Sequence, residues 1–209
     1  MQFSTFTHGN ALAIETPNSL AGYFRVGWGS QMIFPAPVPQ QTSFGIVYDE
    51  IGPGTWLHMP LTTTLATFGL FGPRLASVTL LFSTEHCRIT DVHVYDGATV
   101  VHRFEGALKG NFLGSRDPRD IDPERHGSDS ATFGNTLKLP APHKVFSAIG
   151  ISFYACAFKS DFDIHGHAGG PPFPQAVLTV AAAGAQFNVA QPIDRTTSVV
   201  TIREVAHGP

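Results

Sequence analysis

Residues 78–97, with the sequence VTLLFSTEHCRITDVHVYDG, contain the side chains best suited to acid–base chemistry. If residues 88–95 form a strand, alternation places four side chains on one face: Ile89, Asp91, His93 and Tyr95. Val92 and Val94 then point the other way and predict a core face. A neutral imidazole moves protons near pH 7, and a phenol can polarise a carbonyl. The face that carries His93 and Tyr95 therefore lines either solvent or a pocket.

A second segment, residues 55–60, repeats this pattern with Trp56 and His58 on one strand face. We assign catalytic roles to His58, His93 and Tyr95. Five further residues are candidates for substrate binding: Trp28, Phe34, Trp56, His102 and Tyr154. The alternative is structural, because His and Tyr often occupy the outer face of a two-sided sheet and Trp56 can be a core residue.

Only one run has spacing typical of a metal site: Asp161, Asp163, His165 and His167. Glycines and prolines flank this run, which favours a solvated loop, so we predict no metal. The sequence also lacks a nucleophile elbow, a phosphate-binding loop, a dinucleotide fingerprint and a His-Glu-x-x-His helix. It therefore predicts chemistry without a cofactor.

The composition limits the partners. A net charge of −3 provides no basic surface for nucleic acid. No stretch approaches the roughly 20 apolar residues that span a bilayer, and the first residues do not resemble a signal peptide. Cys87 and Cys156 are too few for a disulfide framework and are expected to be buried free thiols. These features predict a cytoplasmic protein without membrane or nucleic-acid partners; a homodimer is compatible with them.

The 209 residues fit one domain, in which 17 Phe either fill a large core or line an apolar cavity. No amphipathic helix is convincing, whereas roughly nine to eleven short strands are separated by turn signals, which favours an all-β, antiparallel β-sandwich or barrel. We expect residues 78–83, 88–95 and 99–104 to form a three-stranded meander. Long irregular loops are expected at 106–132, which is rich in charge, and at 159–175, before closing strands at 177–183 and 198–204.

Several motifs resemble a family of small β-proteins catalogued as a domain of unknown function. They are Gly27-Trp28-Gly29, Trp56-Leu57-His58-Met59-Pro60, residues 84–97, and Gly150-Ile151-Ser152. The resemblance covers roughly residues 8–158, so the charged loop and the segment after 158 look like additions. In its size and cofactor-free character the chain is also similar to fungal hetero-Diels–Alderases of tropolone–sesquiterpene pathways, although no catalytic motif carries this similarity.

The second resemblance implies a cofactor-independent pericyclase or cyclase that joins a tropolone quinone methide to a humulene-type sesquiterpene. Such a reaction needs an apolar cavity, a fixed orientation of both partners, a hydrogen-bond donor to the carbonyl and the exclusion of water. The alternative is a non-catalytic β-sandwich that binds a small apolar ligand or a protein. An enclosed apolar volume would favour the enzyme, and a solid core with a shallow polar groove would favour the binding module.

Overall fold

The computed structural model describes residues 2–35, 39–42, 45–48, 51–63, 72–110, 136–158 and 175–189. The metal-like run at 161–167, the closing strand at 198–204 and most of the two long loops lie outside the described residues.

In the described part of the chain, nearly every element is a strand. In chain order they are β1 (Gln2–His8), β2 (Ala13–Ile14), β3 (Gly22–Val26), β4 (Gly29–Phe34), β5 (Pro39–Thr42), β6 (Gly45–Tyr48), β7 (Ile51–Pro60), β8 (Arg74–Glu85), β9 (Cys87–Asp96), β10 (Thr99–Leu108), β11 (Thr136–Lys144), β12 (Ile149–Phe158) and β13 (Ala176–Asn188). Two short 3₁₀ turns, Gly9–Ala11 and Pro17–Ser19, interrupt the N-terminal strands.

The strands form two main antiparallel sheets. The first has six strands in the order β11-β8-β13-β4-β3, with β1 also paired to β13. The second has five strands in the order β10-β9-β12-β7-β2, and β5 and β6 form a separate two-stranded ladder. The two main sheets are separate ladders over the described residues. The fold is therefore an all-β sandwich and not a closed barrel, and its 11 main strands confirm the predicted number.

The core lies between the two sheets. Its largest fully buried side chains come from both of them, for example Phe34 and Phe82 from the first sheet and Phe153 and Leu57 from the second. On β7 and β9 these buried residues alternate with half-buried ones, because one face of each strand points inward and the other outward. The side chains of the second sheet that point away from the core therefore form one outer face.

The predicted meander is wrong at its first connection. β8 belongs to the first sheet and β9 to the second, so these strands do not pair, whereas β9 and β10 do form a hairpin. The chain crosses between the sheets at His86, which has a left-handed backbone with φ of 53°. The β9–β10 turn has Gly97 at φ of 59° in a two-residue loop, where glycine is preferred. Both strands have an apolar face, so the sequence pattern alone does not distinguish a hairpin from a crossover.

A β-bulge corrects the predicted alternation of β9. The pairing of β12 with β9 shifts between Tyr154 and Ala155, whose partners are Asp91 and Ile89, and Thr90 is the additional residue. Ile89 consequently turns inward and is fully buried, while Asp91, His93 and Tyr95 remain outward.

Candidate functional site

Six side chains from three adjacent strands meet on the outer face of the second sheet. We call this group the imidazole face: Trp56, His58, His93, Tyr95, Ser152 and Tyr154. The register explains the grouping, because paired residues in neighbouring strands share a face. Ser152 of β12 pairs with His58 on one side and His93 on the other. One row further along, Tyr154 pairs with Trp56 and with Asp91.

The rings of this face pack against one another. The centroids of the Trp56 and His93 rings are 4.7 Å apart, and those of Trp56 and Tyr154 are 5.5 Å apart in an edge-to-face arrangement. The His93 and Tyr95 centroids are 6.2 Å apart. These spacings are typical of favourable aromatic pairs. The imidazole face therefore combines an aromatic surface with hydroxyl and imidazole groups.

One hydrogen bond and one longer polar contact run along one edge of the face. The Nδ1 atom of His58 lies 2.7 Å from the hydroxyl oxygen of Ser152. The opposite ring atom, Nε2, lies 3.8 Å from the Oε2 atom of Glu15, in a contact open to solvent. Hydroxyl, imidazole and carboxylate thus follow one another, with the hydroxyl well buried and the carboxylate exposed.

The environment of His93 favours its neutral form. Burial lowers the pKa of the His93 imidazole, and the nearby Arg103 guanidinium lowers this pKa further; together they outweigh the carboxylates of Asp91 and Glu105. The Nδ1 atom of His93 lies 3.4 Å from the phenol oxygen of Tyr95. A neutral imidazole can accept the phenol proton in a hydrogen bond or, in the other tautomer, donate to the phenol oxygen.

The environment of Tyr154, the second phenol of the face, favours its protonated form. Burial raises the pKa of Tyr154, and the negative charges of the Cys156 thiolate and the Asp91 carboxylate would raise it further. A protonated phenol can donate a hydrogen bond to a carbonyl. The face thus carries two phenols and two imidazoles beside an indole.

Three of the predicted site residues lie elsewhere. Phe34 is 1% exposed in the core, on the first sheet. Trp28 is 52% exposed in the turn between β3 and β4, also in the first sheet. His102 pairs with the buried Val94, so it lies on the inner side of β10, where its ring packs 4.5 Å from that of Phe104. Trp28, Phe34 and His102 are therefore not part of the imidazole face. The other five predicted residues do meet there: Trp56, His58, His93, Tyr95 and Tyr154.

Sequence reasoning missed Ser152, Glu15 and Arg103 as members or neighbours of the face. Ser152 was visible as the single polar residue in an otherwise apolar stretch of β12. Glu15 follows β2, and its backbone N–H donates to the carbonyl of Trp56 over 3.0 Å. The position of Glu15 beside the face could be inferred only from the pairing of β2 with β7. Arg103 pairs with His93 across the β9–β10 hairpin and could be inferred from the turn at Gly97.

No group of three or more His, Cys, Asp or Glu side chains arranged to hold a metal occurs among the described residues. The expectation for Asp161, Asp163, His165 and His167 concerns residues outside this part of the chain. Cys87 and Cys156 are both buried and unbonded to each other, in agreement with the expectation from the sequence.

Comparison with known proteins found no matching family model, no matching curated protein and no matching solved structure. Over the described residues, no helix has both the length and the apolar character needed to cross a bilayer.

Proposed function

We propose that the imidazole face is the substrate site of a cofactor-independent cyclase that acts on a planar, apolar natural-product intermediate bearing a carbonyl. One observation carries this proposal: the rings of Trp56 and His93, tilted against each other at 4.7 Å, lie directly beside the phenol of Tyr95. An aromatic surface next to a neutral hydrogen-bond donor suits a flat conjugated carbonyl compound.

The reaction that fits best is the hetero-Diels–Alder addition of a humulene-type alkene to a tropolone quinone methide. One carbon–carbon and one carbon–oxygen bond form, no atom leaves, and no electron acceptor is required. Correct orientation of the two reactants contributes at most about 7–11 kcal/mol. The remaining contribution is hydrogen bonding to the carbonyl oxygen, which gains negative charge in the transition state.

Each group of the face has a role in this proposal. Trp56 and Tyr154 stack against the conjugated ring. Tyr95 donates its phenol proton in a hydrogen bond to the carbonyl oxygen, and neutral His93 fixes that phenol. His58, supported by Ser152, is the second polar contact and holds the orientation of the substrate.

The test is incubation of a tropolone quinone-methide precursor with a humulene-type alkene, with and without the protein. The proposal expects faster formation of the cycloadduct and a single stereoisomer. It also expects Tyr95→Phe to reduce this acceleration, whereas Tyr23→Phe, the same chemical change on β3 of the first sheet, leaves it unchanged. If the product mixture and rate equal those of the protein-free reaction, the cyclase proposal is wrong.

A second candidate, a non-catalytic binding module for an apolar small molecule or a protein, is favoured by the packed core. Phe34, Phe82, Phe153 and Phe187 are each at most 1% exposed, so these Phe residues fill the interior and do not line a cavity. The residues of the imidazole face, apart from Ser152, are only half-buried. Tight binding of the alkene or the tropolone without product formation would select this candidate.

The cellular setting is part of the same proposal. Cys87 and Cys156 are buried and form no disulfide with each other, which fits a reducing compartment, and we infer a cytoplasmic location on that basis. A homodimer remains compatible with the proposal, and sedimentation velocity of the purified protein would decide it.

A further inference from the structure

The outer face of the first sheet contains a small cleft that plays no part in the proposed cyclase. Its volume is about 90 Å³. It is lined mainly by Ser4, Phe6, Ser77, Thr79, Thr136 and Gln186. The cleft therefore lies on the side of the sandwich opposite the imidazole face.

Two rows of paired residues build the cleft across four strands. In the first row, Phe6 of β1 faces Gly184 of β13, which faces Thr79 of β8, which faces Thr136 of β11. In the second row, Ser4 faces Gln186, and Gln186 faces Ser77.

Glycine at position 184 allows the ring of Phe6 to rest on the sheet. A Cβ atom added to Gly184 would lie 2.6 Å from two carbons of the Phe6 ring, closer than real side chains approach. Phe6 is nevertheless 55% exposed. The ring therefore lies over the backbone of β13 with much of its surface available to a ligand.

The polar groups of the cleft are uncharged and held in place. Ser77, only 2% exposed, donates to the Oε1 atom of Gln186 over 3.3 Å, which orients the NH₂ end of that amide. The hydroxyl oxygens of Thr79 and Thr136 lie 3.1 Å apart and share one hydrogen bond. Each of these hydroxyls retains capacity for a further hydrogen bond.

We propose that this cleft binds one neutral sugar ring of a carbohydrate. A pyranose has an apolar C–H face, which would stack on Phe6, and rim hydroxyls, which would pair with Gln186 and the threonine hydroxyls. An ionic ligand finds no countercharge among the lining residues, and a purely apolar ligand would leave the amide and hydroxyl groups without partners. Because the cleft is small, it contacts only part of the ring, and affinity is millimolar.

The test is a titration of ¹⁵N-labelled protein with cellobiose, maltose and lactose, followed by amide chemical shifts. At least one disaccharide should cause saturable shifts at Ser77, Thr79 and Gln186 with a millimolar Kd. Phe6→Ala should weaken binding by at least about tenfold, which corresponds to 1.4 kcal/mol. Phe24→Ala is the matched control, since Phe24 is 52% exposed on the same sheet but does not line the cleft.

Two further measurements keep the outcome decisive. Thr136→Val removes one hydroxyl on an edge strand without changing side-chain shape, and it should weaken binding while leaving the Tm near that of the wild type. Glucuronate tests for a role of the exposed Lys138, which pairs with Ser77 beyond the lining. The proposal is overturned if no disaccharide perturbs the cleft, if glucuronate binds better than the neutral sugars, or if benzyl alcohol binds equally well.

Discussion

The rings of Trp56 and His93 lie 4.7 Å apart although β12 separates their strands. Adjacent strands are about 4.8 Å apart, so residues on β7 and β9 start roughly twice that distance from each other. Their rings can meet because the residue between them is small: Ser152 pairs directly with His93 and is only 6% exposed. The aromatic part of the imidazole face therefore depends on a serine that contributes no ring.

Ser152→Val should separate the Trp56 and His93 rings, because its branched side chain occupies the space beneath them. The measurement is Trp56 fluorescence in a Trp28→Phe background, where Trp56 is the single indole of a chain with 2 Trp. Protonation of His93 should quench the indole in the parent protein and much less in the valine variant. Ser152→Ala is the control: it keeps the space, loses the hydrogen bond to His58 and should cost about 0.5–1.5 kcal/mol of stability. Equal quenching in the parent and the valine variant would show that Ser152 does not set the contact.

Tyr95→Phe should reduce the acceleration of the cycloaddition clearly but incompletely. Loss of a donor to an oxyanion costs about 2.7–4 kcal/mol, and a neutral donor on a delocalised carbonyl contributes less than that. We therefore expect a rate reduction below about 100-fold, with the Tm little changed because the ring remains. A large fall in Tm, with turnover per folded molecule unchanged, would mean that the phenol is structural.

Acidification should destabilise the protein through His93. Its pKa is lowered in the folded state, chiefly by burial and then by Arg103, from an ordinary value of 6.5. At pH values between the folded and the unfolded pKa of His93, the unfolded chain binds more protons than the folded chain. The part of the folding stability that depends on a neutral His93 is therefore complete above pH 6.5 and is lost as the pH falls.

Imidazole titration by NMR checks this directly. The His93 pKa should lie below its ordinary value and should rise in Arg103→Gln, because a repelling charge is removed. His93→Gln should remove the corresponding part of the acid destabilisation. A His93 pKa above 6.5 in the parent protein would contradict the prediction.

Much of this fold could be predicted because the information is local. Alternation of apolar and polar residues predicted the strands at 78–83, 88–95 and 99–104 and the shared face of Trp56 and His58. The β9 bulge could not be predicted, since an extra residue at Thr90 moves Ile89 inward without a change in composition. The crossover at His86 was missed for a similar reason, because an apolar strand face fits either sheet.

The grouping of side chains in the candidate site could be predicted only where residues share a face of one strand. His93 and Tyr95 were grouped correctly by their spacing of two, as were Trp56 and His58. Trp28, Phe34 and His102 were chosen by residue type, and type does not specify which sheet or which side a residue occupies. Ser152 and Glu15 contact His58 only because strands distant in the sequence pair with each other, and this pairing cannot be read from a single sequence.

Alkylation of the folded protein by iodoacetamide should be slow at both cysteines. Burial raises the pKa of Cys156 to about 11, with the Asp91 carboxylate adding to the effect, so little thiolate exists near neutral pH. Cys87 is 1% exposed and its thiol lies 3.1 Å from the carbonyl oxygen of Val177. Mass spectrometry before and after unfolding in guanidinium should show labelling only after unfolding, and fast labelling of either thiol in native buffer would contradict this.

Asp96→Asn should be the most destabilising single polar substitution near the β9–β10 turn. The carboxylate accepts backbone N–H groups from Phe146 and Ser147, each over 2.7 Å, and lies 3.0 Å from the Nε2 atom of His143. It thereby ties the end of β9 to the segment before β12. Since an amide keeps the shape but loses the charge and one acceptor, we expect a loss of about 2–3 kcal/mol in a urea unfolding experiment.

The same contacts determine the pH dependence of this loss. Burial alone would raise the Asp96 pKa, but the donors from Phe146, His143 and Ser147 outweigh it and the pKa is lowered below its ordinary value of 3.8. The stabilisation by the carboxylate is therefore complete above pH 3.8 and is lost as the pH falls through the folded pKa. The wild type and Asp96→Asn should consequently converge in strong acid. Asp91→Asn, on the same strand but half-buried, is the control and should cost much less; an equal cost for the two variants would show that the Asp96 contacts do not hold the turn.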